Sequence, residues 1–155
     1  MKKKIIIVLG VAIAVLCGAA AVNTFFTKTT KQTGMILELE KDQIKIEKAI
    51  YLLSFYEEDK KELDRMGLSP EDYPSGQYFE RLGETMILKV SSSAQITIFD
   101  TSQKYMQVEN EREYTFKNYA DFLKATETDE ELFLRPYVFT IKNGTIIKME
   151  ERLLI

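Results

Sequence analysis

The chain has 155 residues, with 21 basic and 24 acidic side chains, one cysteine and no histidine. Without histidine, and with Cys17 inside an apolar run, Ser-His-Asp and Cys-His nucleophiles, His- or Cys-based zinc sites and an intrachain disulfide are excluded. No phosphate-cradling G-x-x-x-x-G-K-[ST] or G-x-G-x-x-G motif occurs, so no cofactor is expected.

Met1–Phe26 differs in kind from the rest. Lys2, Lys3 and Lys4 precede an uninterrupted apolar run of 18 residues from Ile5 to Val22. As a helix it would reach about 27 Å, close to the hydrocarbon thickness of a bilayer. The lysines orient it with the N-terminus cytoplasmic and everything after residue 26 exported. Ala19 and Ala21 also form an A-x-A cleavage pattern, which would release the chain near Ala21. The uncleaved single-pass anchor is the preferred reading. A lipoprotein is disfavoured, because the bulky Leu16 precedes Cys17. Setting aside the three lysines leaves 18 basic against 24 acidic residues, a net charge near −6. Such an acidic balance argues against nucleic acid as a partner.

Residues 27–33, TKTTKQT, are polar and aperiodic and read as a linker to an extracytoplasmic domain over 34–155. Residues 34–54 alternate. A turn at Lys41–Asp42 pairs Leu39 with Ile44 and Leu37 with Ile46, all on one face. A single long helix is the alternative; Gly34 and the period of two favour the hairpin. Residues 57–70 read as a short helix stopped at Gly67, with Leu68 folding back on Leu63. Pro74-Ser75-Gly76 turns the following loop. Met86, Leu88 and Val90, then Ile96 and Ile98, mark strands separated by a break at Ser91–Ser93; residues 104–110 are a weaker strand.

The segment FKNYADFLKAT reads as a helix from Phe116 to Lys124, capped by Thr115, with Phe116, Tyr119, Ala120 and Leu123 on its apolar face. Asn143-Gly144 closes a terminal hairpin. A three-residue loop with Gly144 as a bulge pairs Phe139 with Ile147 and Tyr137 with Met149, keeping the apolar face intact. Hairpin, helical insertion over 55–83, strands, helix and hairpin form the order of a mainly β fold with minor α. It is either a small OB-like barrel plugged by its helix or a twisted sheet with one packed helix.

Tyr73, Pro74, Gly76 and Tyr78 form a candidate recognition loop, rigid aromatic area beside a glycine turn; packing beneath the loop is the plainer role for the tyrosines. Glu127, Asp129, Glu130 and Glu131 are an acidic loop without EF-hand spacing, read as solvated. No two acids stand out as a catalytic pair.

Gly67-Leu68, Pro74, Gly76 and Tyr78, together with Ile141, Asn143, Gly144, Ile147 and Glu151, resemble a pattern in uncharacterised secreted or membrane-anchored envelope proteins of Gram-positive bacteria. The resemblance implies location and fold and carries no activity. The expectation is a non-catalytic, membrane-tethered binding or accessory module contacting an envelope protein or wall component. A carboxylate-dependent cell-wall hydrolase is the alternative.

Overall fold

The computed structural model describes residues 28–105 and 112–152. The apolar run and residues 106–110 of the weak strand candidate therefore lie outside the described residues. Among the described residues no helix is long and apolar enough to cross a membrane.

The fold is mainly β with two short helices. In chain order it comprises β1 (Thr29–Leu39), β2 (Gln43–Leu53), α1 (Glu57–Arg65), β3 (Gln77–Phe99), β4 (Glu113–Phe116), α2 (Tyr119–Thr126), β5 (Pro136–Lys142) and β6 (Thr145–Glu151), with a 3₁₀ turn at Glu130–Phe133. The expected linker is mostly strand, since β1 starts at Thr29 and residues Thr29–Met35 pair with β5. β1 is antiparallel to β2 and β5, β5 is antiparallel to β6, and β6 runs parallel to β3. β3 also pairs with β2, so following partners from β1 through β2, β3, β6 and β5 returns to β1. One strand serves both sides because β3 is 23 residues long. The serine triplet is a bend within that strand rather than a break. The β3–β6 register shifts between Val90 and Gln95, and the Ser91 hydroxyl accepts the Ser93 N–H at 3.3 Å.

The first hairpin keeps Leu39 opposite Ile44, but Ile36 rather than Leu37 faces Ile46. Leu37 is an extra residue in β1, a bulge that raises local twist and turns the strand from β2 toward β5. Close approach at this bend requires Gly34, since a Cβ there would lie 2.6 Å from the Glu47 carbonyl oxygen. The last hairpin is also re-registered. Lys142 pairs with Thr145 across a two-residue turn in which both Asn143 (φ 52°) and Gly144 (φ 73°) are left-handed, as a type I′ turn demands. The expected three-residue loop is absent because Asn143 also accepts positive φ. The extra residue moves to Ile147 inside β6, so Phe139 faces Met149, Tyr137 faces Glu151, and Ile146 is buried in place of Ile147. Gly144→Val should cost about 1–3 kcal/mol by straining this turn. Urea midpoints of chains starting at Lys28 measure it, and equal midpoints would contradict the turn assignment.

Phe116 belongs to β4, paired with Ile96, and not to the helix. Asn118, not Thr115, caps α2: its Oδ1 accepts the Asp121 N–H at 2.9 Å. The later start rotates the buried face to Tyr119, Phe122 and Thr126, leaving Ala120 exposed and Leu123 half-buried. The Tyr119 hydroxyl donates to the Glu40 carbonyl at 2.7 Å, pinning the first hairpin; burial pushes this phenol up to about 12. α1 ends as expected, with the Gly67 N–H donating to Asp64 O and the Leu68 N–H to Leu63 O.

Opposite Lys48, β3 bulges over Leu82, Gly83 and Glu84. Glu47 holds this irregularity, accepting from Arg81 Nε at 2.8 Å, from Arg81 Nη2 and from the Gly83 N–H at 3.1 Å. The Arg81 hydrogen bond holds the Glu47 carboxyl below the usual range, against a smaller opposing effect of burial. A depressed carboxyl contributes stability that is present above its unfolded value of 4.5 and is lost as pH falls through the lower folded value. Glu47→Gln should therefore flatten the acid limb of the stability curve below about pH 4.5 and leave its shape above that pH unchanged. Unfolding midpoints measured across pH 2–7 test this, and parallel curves for the two chains would refute it.

Candidate binding face

The strand pairings place the outward residues of β1, β5, β6 and β3 in rows. One row runs Thr29, Lys142, Thr145, Lys89. The next runs Lys31, Thr140, Lys148, Gln95, and the third Thr33, Val138, Glu150, Thr97, ending at Thr115 on β4. Their inward neighbours, such as Phe139, Ile141, Ile146, Met149 and Ile96, fill the core, which fixes the outward set by alternation. The result is a sheet face of threonines and lysines on rigid elements. Lys148 reaches Glu150 at 2.8 Å, and the Thr97 and Thr115 hydroxyls share a hydrogen bond at 2.9 Å. Among the described residues, Lys31, Lys89 and Lys142 form no ion pair. A concavity of about 240 Å³ opens beside the third row, lined by Lys31, Val138, Thr97, Glu113, Glu150 and Arg152 among others.

The loop residues fare differently from one another. Tyr73 is buried, Pro74 is exposed, and Gly76 and Tyr78 are half-buried. The Tyr73 carbonyl accepts the Gly76 N–H at 2.8 Å, the Gly76 carbonyl accepts the Ser54 N–H at 2.8 Å, and the Tyr78 hydroxyl donates to Glu80 at 2.6 Å. The loop is thus knitted to the end of β2, with Pro74 at its outer edge. No known family model, curated protein or solved structure matches the chain.

Buried carboxylates have structural work. Glu47 holds the β3 bulge, as above. Asp100 accepts the Lys104 and Tyr105 N–H groups at 2.9 and 2.7 Å. Glu151 accepts the Phe99 N–H at 2.7 Å and two contacts from Arg135. In the acidic loop Asp129 accepts the Tyr105 hydroxyl at 2.9 Å and faces Lys104 at 3.2 Å, while Glu131 lies 3.5 Å from Arg135. Among the described residues no three of these side chains gather as a metal-binding group.

No sequence motif marks the lysines of the sheet face as a set. Each stands at an outward position of an alternating strand, which is legible locally. Their convergence depends on β5 lying between β1 and β6 and on β6 running beside β3, which alternation does not reveal.

Proposed function

We propose that the chain is a non-catalytic, membrane-tethered binding or accessory module of a Gram-positive cell envelope. It is built as an OB-like barrel held outside the membrane by an uncleaved Met1–Phe26 anchor. The closed circuit of pairings, the parallel β3–β6 pair and a helix before the closing hairpin support the OB-like reading. The tether rests on the apolar run behind Lys2, Lys3 and Lys4. The observation that carries the binding role is the broad threonine–lysine face. It presents polar groups on rigid strands, while Glu47, Asp100 and Glu151 are committed to backbone amides and arginines. The exposed Pro74 edge of the Tyr73–Tyr78 loop offers a second, smaller contact.

Cell fractionation with protease added to intact cells tests the reading. A full-length chain in the membrane fraction, trimmed from outside, is the expected result. A cytosolic chain, or a chain in the medium starting after Ala21, would overturn the tether. Clearing of a wall-substrate zymogram by the folded chain would overturn the non-catalytic role and favour the hydrolase.

A further inference from the structure

We infer that the threonine–lysine face docks on anionic phospholipid headgroups of the same membrane that holds the chain, so that the domain lies against the bilayer. The inference rests on the tether proposed above and names the partner of the face.

Three observations converge. The first is charge. The exported part is net acidic, near −6, yet Lys31, Lys89, Lys142 and Lys148 share one face where Glu150 is the carboxylate among the three rows, with Glu113 and the Arg135-paired Glu151 beyond the third row, at the end away from the tether. An anionic surface would repel the domain in most orientations and attract it in this one. The second is position. Residues 1–27 join the described chain at Lys28, and Thr29 stands in the first row beside Lys142. With the apolar run ending at Val22, the six residues 23–28 reach at most about 20 Å. The tether therefore delivers this edge to the headgroup layer, where local concentration does much of the work of association. The third is apolar. Ile87, two residues before Lys89 on the same outward side, is 64% exposed, and the bulged Ile147, next to Lys148, is 37% exposed. Exposed isoleucines among lysines make an amphipathic surface, suited to insertion at the headgroup boundary.

Each lysine brought near an anionic leaflet contributes roughly fivefold to the binding constant. Docking should thus fall steeply with salt.

The test uses the full-length chain with Cys17→Ser, carrying a fluorophore at Gln95→Cys in the second row, or at Lys61→Cys on α1 as control. It is reconstituted in phosphatidylcholine vesicles with or without about one-third phosphatidylglycerol, a composition chosen to give a strongly anionic surface. Headgroup-labelled quencher lipids report contact. Expected is quenching at position 95 in anionic vesicles at least tenfold stronger than in neutral ones, its loss in 0.5 M salt, roughly three times physiological ionic strength, and little quenching at position 61. Lys31→Gln, Lys142→Gln and Lys148→Gln together should abolish it, while the three arginine replacements retain it. The salt dependence is read on the parent chain, so it stands even where a variant misfolds. Equal quenching in both vesicle types, or at both label positions, would overturn the inference. So would displacement of the face from anionic vesicles by an oligonucleotide at matched charge, which would make it a polyanion site. Flotation of the vesicles separates the two readings. A chain that floats with both vesicle types but shows no selective quenching keeps its tether and loses the docking. A chain that floats with neither loses both.

Discussion

Phe122→Ala is expected to cost about 3–5 kcal/mol, the range for truncating a fully buried phenylalanine. Phe122 has no exposed surface and sits in a line of rings, 5.4 Å from Phe116 at 76° and 6.3 Å from Tyr137 at 79°. It projects from α2 into the core and joins β4 to β5 through these edge-to-face contacts. Removing it leaves a cavity between three elements that cannot all collapse. Leu123→Ala, at a half-buried position, should cost less. Lys117→Ala, at an exposed one, should stay within about 0.5 kcal/mol. A urea titration of chains starting at Lys28 reads all three. A small domain is stable by only about 5–15 kcal/mol, so the first change should move the midpoint visibly. If the helix were a detached recognition element, Phe122 could be truncated without moving it.

This ranking also shows where the sequence was legible. Period-two alternation found the inward residues of β2, β3 and β5, and the Gly67 stop found the end of α1, because each signal is local. The periodicity of FKNYADFLKAT predicts a helix that starts three residues before the observed one. Phe116 and Tyr119 have helical spacing, but Phe116 gains more from pairing with Ile96 in β4, and Asn118 then caps. The face shifted from Ala120 and Leu123 to Phe122 and Thr126 as a result. Both hairpin errors have one cause. Leu37 and Ile147 are bulged residues, and a bulge answers to the twist needed to reach a third strand rather than to the hairpin's own pattern. The candidate face was legible residue by residue and invisible as a set, since Lys31, Lys89, Lys142 and Lys148 come from four strands.

The ion pair at the far end of the closing hairpin was out of reach of any local pattern. Arg135 directly precedes β5, and its Nη1 donates to both Glu151 oxygens, at 3.2 and 3.0 Å, and to the Phe99 carbonyl at 3.0 Å. Glu151 in turn accepts the Phe99 N–H at 2.7 Å. One guanidinium and one carboxylate thus satisfy both backbone groups of Phe99, the last residue of β3. Burial is the largest single influence and opposes the Arg135 charge, but the Glu151 hydrogen bond and the electrostatic attraction of Glu151, Tyr137 and Asp129 together outweigh it and hold the guanidinium above its usual range. Arg135→Ala should strand a carboxylate that is only 4% exposed and leave the Phe99 carbonyl without this donor. The expected loss is about 2–4 kcal/mol. It falls below the ~3–5 of fully buried pairs because the Arg135 side chain keeps 19% exposure. Adding Glu151→Gln removes the stranded charge and should return part of that loss. A double-mutant cycle in urea should then give a coupling above about 1 kcal/mol. Additive single costs would reduce Arg135 and Glu151 to an ordinary surface pair, and the end of β3 would have to be held by the strand pairings alone.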